Sequence, residues 1–315
     1  MQDPLDEVAI ARTGLRVRRL ALGTAPLASI FWGNDAGTAV QTVARALECG
    51  VHFFDTAPFY GLGESERRLG RALAGAGGER PAIATKAGRI LTDRPDGSVD
   101  VHFDFGYDAA RQSLESSLER LGVDRVDIVH IHDPDDHIHE ALEGTYRALV
   151  VLRDEGVIGA VSLGTNSVGI AAAFLERADL DCMLVAGRYT LLDRSAADLI
   201  DACAERGVAY LAAGVFNSGV LARFRAGSWY DYGPASDETL ARAAAIDAVC
   251  QRHGVMLRTA AVYFPLTNPG VAAVVVGMAA PDEVDENLAA LRTPVPDELW
   301  LEVREEALVG GSQNQ

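Results

Sequence analysis

Residues 51–70 read VHFFDTAPFYGLGESERRLG, and this stretch decides the fold. Its apolar alternation is typical of a buried strand, and the strand ends in an acid, Asp55. A buried carboxylate is costly unless a partner neutralises it, so a charge at the end of such a strand is unusual. Tyr60 follows in a turn, and a helix is predicted from about Glu64. The stretch therefore brings an acid and a phenol to the edge of a sheet where a strand passes into a helix, which is where parallel α/β folds keep their chemistry.

Length, charge and composition exclude several classes of protein. The chain has 315 residues, of which 49% are hydrophobic, which is ample for a large buried core. Its net charge of −17 repels phosphate backbones and argues against nucleic-acid binding. No apolar run reaches the roughly 18 residues of a membrane span, and the N-terminus lacks the pattern of a signal peptide. The lack of such segments predicts that the protein has no membrane partner. Because the four cysteines are scattered without a CxxC pair, we expect them to be reduced thiols in the cytoplasm. Its oligomeric state is left open.

Strand and helix patterns alternate along the chain from Leu20 to Leu291. Near-continuous apolar strands, each followed by a helix, predict a parallel sheet covered on both faces. Eight such units fit a closed barrel. An open doubly wound sheet has the same periodicity, but no GxGxxG motif follows the first strand. We therefore predict α/β architecture, a (β/α)8 TIM barrel with an N-terminal β-hairpin and extra C-terminal helices. It forms one domain over residues 1–315, with flexible ends at 1–14 and 308–315.

Four local expectations accompany this architecture. A polar loop is predicted over 92–104, a single helix over 140–155, and a longer interruption over 216–236. A further apolar stretch over 257–264 is predicted as an extra helix, because Pro265 closes it.

Four chemistry-bearing side chains fall where strands are predicted to end. Asp55, Lys86 and His132 end three strands, and Tyr60 lies in the loop after Asp55. In a barrel these ends meet at one mouth. An ammonium beside the phenol would lower the pKa of Tyr60, a carboxylate would hold the ammonium, and a neutral imidazole would orient a carbonyl or hydroxyl oxygen. Each residue alone also fits a structural role, but the four together suit proton transfer coupled to hydride transfer.

The segments FDTAPFYGLGESERRLGRAL (54–73), IATK (83–86) and DIVHIHDPD (127–135) resemble the aldo-keto reductase family. In that family Asp, Tyr, Lys and His form a catalytic tetrad on a (β/α)8 barrel, which binds a nicotinamide cofactor without a Rossmann fold. His132 is preferred to His130 because the family's histidine lies five residues after the strand's aspartate, here Asp127. The resemblance therefore implies the catalytic residues Asp55, Tyr60, Lys86 and His132.

The resemblance also implies a cofactor site. Thr165-Asn166 corresponds to the family's carboxamide-binding Ser-Asn pair, and Tyr189 to the tyrosine that stacks on nicotinamide, although the usual glutamine before it is absent. Glu283 falls where members that use NADP carry an arginine. A carboxylate repels a 2′-phosphate but accepts hydrogen bonds from a ribose diol, so the expected cofactor is NAD, with NADP as the alternative. An acid in a solvated first helical turn also suits the helix dipole without any ligand. The expected cofactor-binding residues are Thr24, Asp55, Thr165, Asn166, Tyr189, Phe216, Asn217, Gly219, Leu221, Gly277, Met278, Glu283 and Asn287.

Within the family, GLGESERRLG, IHDPDD and AGRYTLLD most resemble bacterial NAD-dependent sugar dehydrogenases of the L-fucose and D-threo-aldose 1-dehydrogenase kind. This implies oxidation of an aldose at C1 to an aldonolactone, with Tyr60 taking the proton of the anomeric hydroxyl. The small-molecule partner is then a sugar or another alcohol. The residues expected to line its pocket are Trp32, Phe59, Tyr60, His132, Asp133 and Trp229.

Several other functions compete with this interpretation. A pyridoxal 4-dehydrogenase or an NADPH-dependent aldehyde reductase would use the same scaffold, and a binding protein could retain the fold without activity. The run HIHDPDDHIH also suggests a metal-dependent barrel hydrolase, which needs further ligands from later strands. Those strand ends carry residues that bind no metal, namely Thr165, Ala186, Ala213 and Gly277.

Overall fold

The computed structural model describes residues 3–10, 13–28, 35–223, 225 and 227–311, with side chains as far as residue 304. Trp32, which was expected in the substrate pocket, lies outside the described residues. The strands are β1 (Glu7–Ala9), β2 (Arg16–Arg18), β3 (Leu20–Gly23), β4 (Phe53–Asp55), β5 (Ala82–Ala87), β6 (Arg89–Asp93), β7 (Val99–Phe103), β8 (Val126–His132), β9 (Ile158–Thr165), β10 (Cys182–Ala186), β11 (Ala209–Ala213), β12 (Trp229–Tyr230), β13 (Gly233–Pro234) and β14 (Val271–Gly277). The helices are α1 (Ala36–Glu48), α2 (Glu64–Ala74), α3 (Tyr107–Leu121), α4 (Ile138–Glu143), α5 (Thr145–Asp154), α6 (Val168–Arg177), α7 (Ala197–Arg206), α8 (Asp237–Arg252), α9 (Leu257–Tyr263), α10 (Pro281–Arg292) and α11 (Asp297–Gly311).

Parallel strands close into a barrel in the order β3-β4-β5-β8-β9-β10-β11-β14, and β14 pairs with β3 to complete it. These strands are mostly buried on both faces, as their near-continuous apolar sequences require. The predicted TIM barrel is therefore confirmed, and so are the extra C-terminal helices, α9 and α11 among them.

The interior and exterior of the barrel follow from the period-2 alternation of its strands. Phe53 belongs to an interior apolar cluster, whereas its neighbour Phe54 packs in the outer cluster between strands and helices. Ile10, which follows β1, and Val17, in the middle of β2, join the interior cluster and so close the amino end of the barrel. The alternation leaves Asp55 on the inner face at the opposite, carboxyl end.

Two of the local expectations were wrong. The predicted polar loop over 92–104 is largely a β-hairpin, because RILTD and VDVHF pair in register from Arg89↔Phe103 to Asp93↔Val99. The single helix predicted over 140–155 is broken at Gly144, where a Cβ would lie 2.3 Å from the carbonyl oxygen of Phe105. The break lets the next backbone segment pack against that carbonyl.

The interruption over 216–236 also has structure, since it holds the short β12–β13 hairpin. β1 lies inside the first terminal segment expected to be flexible, and α11 continues into the second. No helix in the described part of the chain is long and apolar enough to cross a membrane. The four cysteines are free.

Candidate active site

The carboxyl ends of β4 and β5 bring a buried ion pair together. The Nζ atom of Lys86 donates to both carboxylate oxygens of Asp55, at 2.5 and 2.6 Å, and to the carbonyl oxygen of Thr56 at 2.9 Å. Both side chains are almost fully buried. Burial raises the pKa of Asp55, and the neighbouring ammonium opposes that rise. All three N–H groups of the ammonium are therefore used inside the protein.

Tyr60 lies beside this pair and beside His132. The Nζ atom of Lys86 is 5.0 Å from the centroid of the Tyr60 ring, and the ring is 6.3 Å from that of His132 at an interplanar angle of 88°. The structure thus brings all four predicted catalytic side chains to one place, at the mouth of the barrel.

The electrostatics of Tyr60 differ from the expectation. Burial, followed by the charges of Asp55 and Asp133, raises the pKa of Tyr60 well above its usual value, and Arg89 only partly opposes this. The expected lowering by Lys86 is wrong because that ammonium is already neutralised by Asp55. At neutral pH the phenol is therefore protonated.

His132 is neutral, as its predicted role requires. Burial lowers the pKa of His132 well below its usual value, and the positive charges of Arg89 and Lys86 lower it further. Its Nε2 atom lies 3.5 Å from Oδ2 of Asp133, while Nδ1 is buried without a hydrogen-bond partner among the described residues. A neutral imidazole in this position can hold a substrate oxygen without carrying charge.

Two other histidines of the run have contacts within the fold. His130 is fully buried and its Nδ1 lies 2.8 Å from Oγ of Ser162, so it is the packed core histidine of the two. His137 stacks on Phe103 and lies 3.1 Å from a carboxylate oxygen of Glu140. Among the described residues, no group of three or more His, Cys, Asp or Glu side chains is arranged to hold a metal ion.

A polar cavity of about 400 Å³ opens next to the tetrad. It is lined by Arg89, Phe103, Asp133, Asp135, Asp136, His137 and Asn166. Asp133 and Asn166 are among the residues expected in the site. Phe59, also expected there, packs against Arg89, whose guanidinium carbon lies 4.4 Å from the centroid of the Phe59 ring. The cavity therefore offers charged and hydrogen-bonding groups next to Tyr60.

Comparison with known proteins agrees with this geometry. Residues 19–306 match the Aldo/keto reductase family. The chain belongs to the aldo-keto reductase family. Like its members, it is an NAD(P)-dependent oxidoreductase that acts on small carbonyl or alcohol compounds.

Individual relatives cover nearly the whole chain. It is 37% identical to a D-threo-aldose 1-dehydrogenase from Pseudomonas sp, over 96% of this chain and 98% of the relative. A pyridoxal 4-dehydrogenase from Microbacterium luteolum is 35% identical, over 96% and 97% of the two chains. The L-galactose dehydrogenase of Arabidopsis thaliana is 32% identical, over 90% and 87%. The structure of a glycerol dehydrogenase from Gluconobacter oxydans matches with a TM-score of 0.80 over 99% and 98%, at 24% identity, which supports the fold.

Two residues expected to bind the aldo-keto reductase cofactor have their polar groups engaged within the fold. The hydroxyl of Thr24 donates to the carbonyl oxygen of Asp55 and accepts from Ser65, at 3.0 and 2.6 Å. The hydroxyl of Thr165 accepts from the backbone N–H of Ser167 at 3.0 Å. These bonds fix the ends of β4 and β9, so both threonines shape the mouth.

The turn after β11 is the part of the expected cofactor site that fits a ligand best. Asn217 is buried in a left-handed conformation, and its Nδ2 donates to the carbonyl oxygen of Gly187 at 3.3 Å. Its Oδ1 is buried with no partner among the described residues. Phe216 and Gly219 hold the turn through a backbone hydrogen bond of 3.0 Å, and Leu221 is buried beneath it. A buried acceptor without a donor is a position where a ligand amide or hydroxyl fits.

At the junction of β14 and α10 the expected residues mainly cap the helix. Glu283 accepts a 2.7 Å hydrogen bond from the backbone N–H of Ala279, and Asn287 donates to the carbonyl oxygen of Glu283 at 2.8 Å. Arg258 donates to Asn287 at 3.3 Å and is ion-paired with Glu286. The positive charge of Arg258 is therefore already neutralised.

The two other residues expected at that junction, Gly277 and Met278, have no polar side chain that could bind a ligand. Gly277 is exposed at the end of β14, and a Cβ there would lie 3.0 Å from Cγ of Pro26. Met278 is fully buried. Because Gly277 has no side chain and Pro26 lies close to it, no bulky group fills the surface between β14 and the segment after β3.

Tyr189, which is expected to stack on nicotinamide, has contacts with the segment before β14. Its ring stacks on Phe264 at 5.2 Å, and its hydroxyl accepts from Nδ2 of Asn268, which precedes β14. The side chain is only partly buried by these contacts. Its stacking on nicotinamide therefore stays a prediction.

Two residues near the mouth were not predicted from the sequence, and both lie on hairpins outside the barrel. Arg89 begins β6 and lies three residues after Lys86, in KAGR, which was the available signal. Tyr232 is in the turn between β12 and β13. Although Tyr232 is 65% exposed, partial burial of its hydroxyl raises its pKa, and the charges of Tyr60 and Asp133 act in the same direction. Trp229, the residue expected from this hairpin, is 48% exposed.

An arginine ties the β12–β13 hairpin to the mouth. Arg188 donates to both carboxylate oxygens of Asp231, at 3.0 and 3.1 Å, and to the carbonyl oxygen of Asn166 at 2.6 Å. The backbone N–H of Tyr232 donates to the hydroxyl of Ser218 at 2.9 Å. These bonds tie the turn that carries Tyr232 to Asn166, which lines the cavity.

Proposed function

We propose that this aldo-keto reductase oxidises an aldose at C1 to an aldonolactone, with NAD as the hydride acceptor. The observation that carries the proposal is the polar cavity lined by Asp133, whose carboxylate lies 3.5 Å from Nε2 of His132. Of the seven described residues that line it, Phe103 is the one apolar side chain. Such a lining matches a polyhydroxylated substrate, because each hydroxyl needs a donor or an acceptor when it leaves water.

The roles of the tetrad follow from its charges. In the oxidative direction Tyr60 accepts the proton of the anomeric hydroxyl as the hydride leaves C1, and the carbonyl of the lactone forms. Neutral His132 donates a hydrogen bond to that oxygen, and the Lys86–Asp55 pair fixes the floor beneath the phenol. When bound, the oxidised nicotinamide supplies the hydride acceptor and a positive charge, which favours loss of the proton from Tyr60.

The turn after β11 and the start of α10 would hold the cofactor. The unpartnered Oδ1 of Asn217 can accept a hydrogen bond from a donor on the ligand, so this residue fits a cofactor site. Residues 278–283 read MAAPDE and contain no basic side chain, and Arg258 nearby is paired with Glu286. This supports NAD over NADP, because a 2′-phosphate would find carboxylates and no free cation within that segment. The free cysteines support a reducing compartment, which we take to be the cytoplasm.

Initial rates of nicotinamide reduction test the proposal. NAD⁺ and NADP⁺ are compared over a panel of L-fucose, D-arabinose, L-galactose and pyridoxal. We expect turnover of at least one aldose, with NAD⁺ preferred. Turnover of pyridoxal alone would support the alternative pyridoxal 4-dehydrogenase function, which the 35% identical relative represents. A preference for NADP⁺ would contradict the interpretation of Glu283.

The protonation state of Tyr60 predicts a pH dependence. Because its pKa is raised above the usual value near 10, the phenol is protonated from acid to mildly alkaline pH. Aldehyde reduction, which needs the proton, should keep a constant kcat from about pH 6 to about pH 9, whereas oxidation should accelerate as pH rises. A reduction rate that falls through neutral pH would show that the phenol is ionised there.

A further inference from the structure

Arg89 is held in the cavity by two aromatic rings and one carboxylate. Its guanidinium carbon lies 4.4 Å from the centroid of Phe59 and 5.3 Å from that of Phe103. Its Nη2 donates to Oδ2 of Asp133, and 17% of its side chain is exposed. A guanidinium stacked on rings and paired with a carboxylate has a fixed plane, so its remaining N–H groups have fixed directions.

Asp133 adopts a backbone conformation that a residue with a side chain rarely takes. Its φ angle is 45°, in the left-handed region, and its N–H donates to the carbonyl oxygen of Gly164 at 2.9 Å. This conformation follows His132 directly and turns the carboxylate back, to 3.5 Å from Nε2 of the imidazole. Strained residues of this kind persist where the surroundings fix them, and they occur often at ligand sites.

The pair retains unused hydrogen-bonding capacity on the side of the cavity. Within the described residues, the hydrogen bonds of these two side chains use Nη2 of Arg89 and Oδ2 of Asp133. Nε of Arg89 is buried without a partner. Nη1 and Oδ1 remain, one a donor and the other an acceptor, next to the place where Tyr60 and His132 meet a substrate oxygen.

Building on the proposed aldose dehydrogenase function, we propose that the Arg89–Asp133 pair is the specificity-determining element of this site. Nη1 of Arg89 donates to the hydroxyl on C2 of the sugar, and Oδ1 of Asp133 accepts from the hydroxyl on C3. A vicinal diol offers acceptors and donors side by side, as the pair does. Because the pair is neutral as a whole, it selects uncharged polyols. A substrate without those hydroxyls leaves both groups desolvated and unpaired, which a site of this kind rejects strongly.

The test compares a substrate with its deoxy analogue. Initial rates with NAD⁺ are measured for L-fucose and 2-deoxy-L-fucose, in the wild-type protein and in Arg89→Met. Methionine keeps the bulk between the two rings but removes every donor. Arg94→Met is the matched control, since Arg94 lies just after β6 and its ion pair with Asp100 is about half exposed. Thermal unfolding checks that the variants fold.

We expect Arg89→Met to lower kcat/KM for L-fucose by about 10- to 100-fold, the effect of losing a charged hydrogen bond to a hydroxyl. The 2-deoxy analogue, which cannot make that bond, should lose only what the missing charge beside Tyr60 and His132 costs both sugars, so the ratio of the two kcat/KM values should fall by about 10-fold or more; Arg94→Met should change neither value. An equal loss for both sugars in a folded Arg89→Met protein would overturn the proposal while the dehydrogenase function stands. If the wild-type protein oxidises no aldose, the proposed function itself fails, and this inference fails with it.

Discussion

Two kinds of aspartate occupy the two ends of this barrel. At the amino end, Asp127 binds Arg80 through both oxygens at 2.9 Å and accepts the backbone N–H of Ile83 at 2.8 Å. Asp181 repeats this arrangement: it accepts from Arg153 at 2.6 Å and from the backbone N–H of Val161 at 2.8 Å. Each carboxylate thus ties its strand to the neighbouring one.

Asp55 at the carboxyl end is bonded differently. Among the described residues, Lys86 is the one donor to its carboxylate, and no backbone N–H contributes. A carboxylate bonded to backbone amides holds strands in register, whereas one bonded to a single ammonium fixes the position and charge of that side chain. The same residue type therefore stabilises the fold at one end and arranges the chemistry at the other.

The largest loss of activity is expected at Tyr60. Tyr60→Phe removes the proton carrier without removing the ring that packs near His132, so kcat should fall by about 10²- to 10⁴-fold. Cofactor binding, followed by quenching of protein fluorescence, and the urea midpoint should stay unchanged. A variant that retains more than a tenth of the wild-type kcat would rule out the role assigned to this phenol.

A variant of the ion pair should lose both activity and stability. Lys86→Met leaves Asp55 buried and unpaired, which destabilises a folded protein by about 3–5 kcal/mol. The double variant Lys86→Met/Asp55→Leu removes the buried charge as well, so the free energy of unfolding should largely recover while kcat stays low. Urea unfolding and initial rates measure the two effects separately. Recovery of activity in the double variant would contradict a chemical role for the pair.

The sequence predicted the barrel and the meeting of an acid, a phenol, an amine and an imidazole at its mouth because both depend on local periodicity, whereas the choice of His132 over His130 came from the family resemblance. Alternation places Phe53 and Asp55 on the inner face, and the ends of parallel strands meet at one mouth. The sign of the Tyr60 pKa shift was not predictable, because it depends on how Lys86 distributes its three N–H groups.

Features that depend on contacts between distant segments were missed. The break at Gly144 exists because the backbone of Phe105 approaches it. Arg89 reaches the cavity because RILTD pairs with VDVHF, and this pairing could not be predicted from two short segments that are separated by a loop. Where a residue serves the barrel, its role can be predicted from spacing. Where it serves a hairpin above the mouth, the role depends on tertiary packing.

A variant at the amino end should show the opposite behaviour to the tetrad variants. Asp127→Ala leaves the N–H of Ile83 buried without an acceptor, which costs about 1–3 kcal/mol of stability. Because the site lies at the other end of β8, kcat/KM should remain within about twofold of the wild-type value at a temperature where the variant is folded. Urea unfolding and initial rates on the same sample provide the measurement, and Asp124→Ala, an exposed position before β8, is a suitable control. A large loss of kcat in folded Asp127→Ala would mean that the two ends are coupled.

The smallest effect is expected at the hairpin that crosses the mouth. Asp231→Asn removes the charge that Arg188 binds, and a pair of this exposure contributes only about 0.2–1 kcal/mol. The hairpin should then spend more time away from the cavity and carry Tyr232 with it. KM should rise by about two- to fourfold with kcat unchanged, because the hairpin contacts the substrate equally in the ground state and the transition state. Steady-state kinetics at low and high ionic strength check this, since salt should raise the KM of the wild-type protein and leave that of the variant constant. If kcat falls instead, Tyr232 takes part in the chemistry, and the division between a rigid barrel that reacts and a hairpin that only binds would not hold.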